Sequence, residues 1–169
     1  MSRPAENKII EIPAGSEEWA RAICAAHENR PDELLEIFHA VQHEIGFIPE
    51  TVVAVVANAL NISRADVYGV LSFYHDFRRA PAGRHVVKIC RAEACQAMHS
   101  HEVCVHAEQR LGTKFGGTSA DGEFTLEAVY CLGNCARSPA MMIDGNLFGC
   151  VDEKRFDAVI AGLDNEAAA

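Results

Sequence analysis

Two pairs of cysteines, each placed directly after a strand-like stretch, constrain the fold of this chain more than any other feature. Cys90 and Cys95 enclose four residues and follow the β-branched stretch HVVKIC (85–90). Cys131 and Cys135 enclose three residues and follow a stretch of alternating apolar residues. Because two strands of one sheet can end at the same edge, the spacing predicts four thiols at one end of a small domain.

Charge and hydropathy indicate the compartment in which these thiols lie. The first residues, MSRPAENKII, lack the apolar core of a signal peptide. The apolar run TVVAVVANAL is about half of the roughly 20 residues that span a membrane. We therefore expect a cytoplasmic protein with no direct membrane insertion. The formal net charge of −9 is shared by both halves of the chain, which disfavours nucleic acid as a partner.

Several ligand chemistries compete for the two cysteine pairs. A disulfide framework is disfavoured in the reducing cytoplasm. Structural zinc sites most often use C-x2-C spacing, and thioredoxin-type redox pairs use C-x-x-C at a helix start; neither pair has this spacing. Simple buried thiols remain possible. A [2Fe–2S] cluster is wider than one metal ion and is held by four thiolates, so the residues alone favour it, with zinc and buried thiols as open alternatives.

The remaining pattern divides the chain into two domains. Residues 1–80 show helical apolar spacing with helix-start and helix-stop signals, such as Ser63 followed three residues later by Asp66. The stretch RRAPAGR (78–84) is predicted to be a linker. Residues 84–163 show a different pattern, β-α-β-β-β-α, which predicts an α/β domain with helices on a mixed sheet.

The four cysteines and their surroundings closely resemble one known family. The pattern is C-x4-C, then 35 residues, then C-L-G-x-C. With HAVQHEIGFIP, VYGVLSFYHDF and DGEFTLEAVYCLGNC, it resembles the thioredoxin-like [2Fe–2S] ferredoxins, the complex I 24 kDa subunit family. The stretches CRAEACQ and PAGRHVV most resemble the gamma subunits of NAD-dependent molybdenum formate dehydrogenases. The resemblance covers roughly residues 31–160.

The resemblance implies a fold, a cofactor and a function. The fold is a thioredoxin-like [2Fe–2S] domain preceded by an N-terminal helical bundle. The ligands of one [2Fe–2S] cluster are Cys90, Cys95, Cys131 and Cys135. The function is one-electron transfer in an NAD-dependent formate dehydrogenase, so that the chain is part of an oxidoreductase and is not catalytic alone. The equivalent subunit of respiratory NADH:quinone oxidoreductase or of an NAD-linked hydrogenase is the alternative.

The same resemblance implies the partners. The expected neighbours are a flavoprotein NAD-binding subunit, which carries FMN and a [4Fe–4S] cluster, and a molybdenum formate dehydrogenase catalytic subunit. FMN and NAD are expected only on the partner, in agreement with the lack of a GxGxxG fingerprint in this sequence. Aromatic residues near the end of the first domain, including Phe73 and Tyr74, are expected either to dock a partner or to cover the second domain.

Further predictions concern residues next to the four proposed ligands and the cysteines outside that set. Backbone N–H groups should point at the sulfurs, with Gly133 allowing a close approach. Arg91 and Arg137 are expected either to stabilise the reduced cluster or to be ordinary solvated charges. The remaining cysteines are expected to be small buried apolar residues. They are Cys24, Cys104 and Cys150.

Two functions of another class also fit part of the sequence. The stretch VANALNISRADVYGVLSF resembles a helix-turn-helix, which would suit an iron–sulfur regulator, although it carries little positive charge. A zinc-stabilised interaction module would use the cysteines without redox chemistry.

Overall fold

The computed structural model of the chain describes residues 13–166. The chain divides between Pro81 and Ala82 into two compact units, a helical unit and an α/β unit.

The helical unit contains four α-helices and one short 3-10 helix at Pro31–Glu33 among its described residues. The α-helices are α1 (Ser16–Ala26), α2 (Leu34–Ile45), α3 (Glu50–Leu60) and α4 (Arg64–Phe73). Their apolar faces enclose one core, in which Phe38, Val41 and Val56 have no exposed surface. This arrangement confirms the helical bundle predicted for the first part of the chain.

Local signals explain where these helices begin and end. The Ser63 side chain accepts a hydrogen bond from the Asp66 N–H, and the Asp66 carboxylate accepts one from the Ser63 N–H, which is the predicted capping box. Gly46 ends α2 with φ +87°, a conformation that glycine adopts without strain. Helix α3 ends at Asn61 in the same left-handed region.

The predicted linker is shorter in the structure than in the sequence pattern. The Arg78 N–H donates to Gln42 Oε1 at 2.6 Å, and the Arg78 carbonyl accepts from the Ile48 N–H at 2.7 Å, so Arg78 belongs to the helical unit. The Gly83 N–H donates to Thr125 Oγ1 at 2.6 Å, so Gly83 belongs to the α/β unit. These bonds confine the connection to residues 79–82.

The α/β unit contains a five-stranded sheet and three α-helices among its described residues. The strands are β1 (His85–Cys90), β2 (Gly117–Thr118), β3 (Phe124–Val129), β4 (Ala140–Ile143) and β5 (Asn146–Gly149). The helices are α5 (Glu93–Ala97), α6 (Ser100–Leu111) and α7 (Glu153–Glu166). The strand order is β2-β3-β1-β4-β5, with β1 and β3 parallel and the other pairs antiparallel. The sheet is therefore mixed, as predicted.

One strand departs from the predicted alternation. Strand β3 buries Phe124 and Leu126 as expected, but it also buries Thr125, which is 6% exposed. The reason is hydrogen bonding: Thr125 Oγ1 accepts from the Gly83 N–H and lies 2.8 Å from Thr118 Oγ1. The strand ends at Val129, so Tyr130, the last apolar residue of the alternating stretch before Cys131, lies outside it and is 72% exposed.

None of the helices in residues 13–166 is long and apolar enough to cross a membrane.

Candidate metal centre

The first cysteine of each pair lies at or just beyond the carboxyl end of an inner strand, at the same end of the sheet. In the parallel ladder between β1 and β3, Cys90 is in register with Val129. The ladder continues for one bond, because the Arg91 N–H donates to the Val129 carbonyl at 2.8 Å. Cys131 follows Val129 by two residues, so the chain leaves two neighbouring strands beside each other and starts both cysteine loops there.

The first loop buries both of its thiols. Cys90 ends β1 and is 3% exposed, and Cys95 lies on α5 and is 2% exposed. The Gln96 side chain closes this loop, because its Nε2 donates to the Arg91 carbonyl at 2.7 Å. The Gln96 N–H donates to the Ala92 carbonyl at 2.9 Å. These bonds determine the backbone path between the two cysteines.

The second loop leaves both of its thiols exposed. Cys135 begins a short 3-10 helix at Cys135–Arg137. Between the two cysteines, Gly133 has φ +71°, and its N–H donates to Cys131 Sγ at 3.3 Å. The predicted N–H contact with a sulfur is thus present. Glycine suits this position because of its positive φ, which other residues rarely adopt. Crowding is not the reason, because an added Cβ would meet nothing within 4 Å.

Ser138 joins the two loops. Its hydroxyl lies 3.6 Å from Cys95 Sγ of the first loop. It also donates to the carbonyl of Cys135 in the second loop at 2.8 Å. One side chain therefore contacts the sulfur of one cysteine and the backbone of another.

Two of the thiols, Cys90 and Cys135, have raised pKa values that are influenced by groups of the other loop. Burial raises the pKa of Cys90, and backbone N–H groups of Ala92 and Leu132 act in the opposite direction. Leu132 belongs to the second loop, so its contact with Cys90 links the two pairs. The neighbouring Cys131 thiol raises the pKa of Cys135, with smaller contributions from burial and from Cys95. Mutual effects of this kind are expected where thiols lie close to one another.

The hairpin formed by β4 and β5 supports the second loop. The Cys150 N–H donates to the Arg137 carbonyl at 2.6 Å, and the Val151 N–H donates to the Pro139 carbonyl at 3.0 Å. Ala140, at the start of β4, packs with Cys90 and Cys95 in a small buried cluster. Both cysteine loops therefore rest on the same sheet edge.

The other cysteines correct one prediction. Cys24 and Cys104 are buried, as expected for small apolar residues. The prediction was wrong for Cys150, which is exposed. Its φ of +51° and the hydrogen bond from its N–H to Arg137 turn its backbone toward the second loop and leave the thiol in solvent.

The two arginines next to the ligand candidates have different environments. The Arg91 guanidinium lies over the Phe115 ring, 5.2 Å from its centre, and is half-buried. Arg137 is exposed. Sequence reasoning missed Phe115, Gln96 and Ser138, whose contacts with this site depend on how distant segments pack.

The four thiols have the chemistry that a two-iron group requires. Within residues 13–166, no group of three His, Cys, Asp or Glu side chains is arranged to hold one metal ion. A [2Fe–2S] cluster needs only two sulfurs on each iron, which one pair of cysteines can provide. The two loops provide two such pairs, at neighbouring strand ends.

Comparison with known protein families identifies the family of this chain. The family description "Thioredoxin-like [2Fe-2S] ferredoxin" matches residues 20–164. The chain belongs to this family. The match covers both units, and the family carries one [2Fe–2S] cluster, so the four thiols fit the cofactor that the family binds.

Among curated proteins, this [2Fe–2S] ferredoxin is similar to the E subunits of NADH-quinone oxidoreductases from several bacteria. The protein of Pseudomonas aeruginosa is 38% identical over 117 residues, 69% of this chain and 70% of the relative. That of Escherichia coli K12 is 33% identical over 139 residues, 82% of this chain and 84% of the relative. That of Salmonella typhimurium is 38% identical over 139 residues, with the same coverage.

Among solved structures, the chain is similar in fold to an NAD+-reducing [NiFe]-hydrogenase. The air-oxidized form matches with a TM-score of 0.66 and 21% identity over 79% of this chain. The H2-reduced form matches equally well. This chain covers 23% of the air-oxidized hydrogenase chain, so the likeness shows the fold of one part of a longer protein.

Proposed function

We propose that this chain is the one-electron-transfer subunit of a multi-subunit, NAD-linked oxidoreductase, with Cys90, Cys95, Cys131 and Cys135 as ligands of one [2Fe–2S] cluster. The observation that carries the proposal is the placement of the two cysteine pairs. They leave neighbouring parallel strands in register at one sheet edge. The family membership supports the same cofactor.

The residues around the thiols suit this role. A bound [2Fe–2S] cluster accepts and releases one electron and becomes more negative on reduction. The Gly133 N–H donates to Cys131 Sγ, and backbone N–H groups of Ala92 and Leu132 face Cys90. Such donors stabilise negative charge on sulfur. The exposed second loop leaves one side of the site accessible, as electron transfer to another protein requires.

A flavoprotein partner follows from the number of electrons. NADH gives up two electrons as a hydride, whereas a [2Fe–2S] centre takes one at a time. A flavin between them accepts the pair and releases single electrons. The partner we propose is therefore an NAD-binding flavoprotein subunit carrying FMN and a [4Fe–4S] cluster, and we place the complex in the cytoplasm.

The second substrate of the whole complex, besides NAD, has three candidates: formate, a quinone or hydrogen. The similarity to the E subunits of NADH-quinone oxidoreductases supports a quinone-linked complex. The stretches CRAEACQ and PAGRHVV support an NAD-dependent formate dehydrogenase with a molybdenum catalytic subunit. Purification of the chain with its native partners, followed by assays of NAD reduction with formate or hydrogen and of quinone reduction with NADH, decides between them.

The cofactor assignment is tested on the purified chain. We expect a reddish-brown protein with about two irons and two sulfides per chain and visible absorption that partly bleaches with dithionite. Serine at any of the four proposed ligands should abolish or change the reduced-cluster EPR signal. Cys104→Ser, at a buried thiol outside the ligand set, should retain it. A colourless, zinc-loaded protein would instead support the interaction module, and tight binding of duplex DNA would support the regulator.

A further inference from the structure

The Ser138 hydroxyl has a position that the proposed function does not explain. Ser138 is half-buried, and its oxygen lies 3.6 Å from the sulfur of Cys95, a fully enclosed member of the ligand set. The residues are 43 positions apart, so the tertiary fold makes this contact. The same hydroxyl donates to the Cys135 carbonyl at 2.8 Å.

The donor and acceptor roles in this contact depend on what Cys95 binds. As a thiol, Cys95 donates its S–H to Ser138 Oγ, and Ser138 donates its own hydrogen to the Cys135 carbonyl. A cysteine that ligates iron is a thiolate and has no hydrogen to donate. The serine hydroxyl carries one hydrogen and rotates freely. It is then the only member of this pair that can donate.

We propose that Ser138 donates a hydrogen bond to the sulfur of Cys95 when the cluster is bound and thereby raises the reduction potential of the centre. This inference rests on the proposed function, because it requires Cys95 to be a ligand. The proton lost from Cys95 leaves with ligation, and the Ser138 hydrogen turns from the Cys135 carbonyl toward the sulfur. On ligation a bond from Cys95 Sγ to iron takes the place of the S–H bond, and the Cys135 carbonyl loses the hydrogen bond from Ser138.

The direction of the effect follows from charge. Reduction places an additional electron on the cluster and its sulfur ligands, so an O–H donor stabilises the reduced state more than the oxidised state. Cys95 is 2% exposed, which keeps water from replacing the hydroxyl. Removal of the donor should therefore lower the potential.

The test is a redox titration of the cluster-loaded chain, followed by EPR. We expect the Ser138→Ala protein to have about a tenfold lower ratio of reduced to oxidised cluster at a fixed potential, which is about 59 mV for one electron. Ser138→Thr keeps the hydroxyl and should keep the potential. Ser72→Ala is the matched control, because the Ser72 hydroxyl also donates to a carbonyl three residues earlier, Gly69, at 3.1 Å. It should not change the potential.

The possible results separate this inference from the proposed function. A cluster-loaded Ser138→Ala protein with the wild-type potential would overturn the role of Ser138 and leave the ligand assignment intact. A wild-type chain that takes up no iron and sulfide would overturn both. If the Ser138→Ala protein does not hold a cluster, the reduction potential of Ser138→Val is compared with that of Ser138→Thr. Valine and threonine have the same shape, but only threonine keeps the hydroxyl. Equal potentials for that pair, or loss of the cluster with every side chain that lacks a hydroxyl, would contradict a potential-setting role.

Discussion

Gly149 lies so close to Arg137 that position 149 has no room for a side chain. A Cβ atom on Gly149 would stand 2.8 Å from both the Cβ and the carbonyl oxygen of Arg137, and 2.7 Å from Asn134 Nδ2. Strand β5 therefore packs directly on the backbone of the second cysteine loop. The absence of a side chain at position 149 helps to determine where Cys135 lies.

Gly149→Ala should displace the second loop. The added methyl group meets backbone at a distance that real Cβ contacts do not show, so either the loop or the end of β5 must move. We expect a lower iron content and an altered or broadened EPR spectrum of the reduced cluster. Gly162→Ala is the control, because Gly162 is in α7 and an added Cβ there meets nothing within 4 Å. An unchanged spectrum in Gly149→Ala would mean that the loop does not depend on this contact.

Arg137→Glu should lower the midpoint potential of the cluster. Arg137 follows Cys135 by two residues and is exposed, so its charge acts through solvent and the effect should be no more than about fivefold in the ratio of reduced to oxidised cluster. The difference should shrink as salt is raised. Arg155→Glu makes the same charge change at an exposed position of α7. Redox titrations that give the same potential for Arg137→Glu and the wild type would exclude Arg137 from the residues that influence the potential.

The free cysteines should differ sharply in reactivity. Burial raises the pKa of Cys24 and of Cys104, so little reactive thiolate forms there at neutral pH. Cys150 is exposed. In the cluster-loaded protein we expect one rapidly alkylated cysteine, Cys150, identified by peptide mass spectrometry. Cys150→Ser should remove the rapid reaction, and rapid labelling of Cys24 would contradict the packing of the helical core.

An exposed aromatic pair should contribute to docking. Phe73 is 73% exposed and Tyr74 is 41% exposed, and their rings meet edge to face with centres 5.1 Å apart. Phe73→Ala should weaken binding to the flavoprotein partner about 30-fold, since truncation of an aromatic interface anchor costs on the order of 2 kcal/mol. Trp19→Ala, at an exposed aromatic residue of α1, is the control. The absorption spectrum should be unchanged in both variants, and equal affinities would place the interface elsewhere.

Sequence patterns predicted those features that depend on neighbouring residues. The strand at 85–90 and the capping box of Ser63 both arise from local chemistry and are present. Strand β2 and helix α5 were missed because two and five residues are too short to show a period.

Other features depend on contacts that no local pattern records. Ser138 reaches Cys95 only because two loops leave adjacent strands. Cys150 was predicted to be buried but is exposed, because its left-handed backbone interrupts the alternation of the hairpin. Thr125 is buried because its hydroxyl has partners from two other segments.

The register of β1 against β3 has a consequence for mutations at residues other than the cysteines. Val87 and Ile89 of β1 are fully buried, whereas Lys88 points to the opposite face and pairs with Glu127 at 3.5 Å. A slip of one residue would exchange these faces and bring a lysine into the core. The same slip would move Cys90 along the sheet relative to Cys131. Selection for a well-packed interior therefore also preserves the spacing of the thiols, and a core substitution can impair metal binding without touching a ligand.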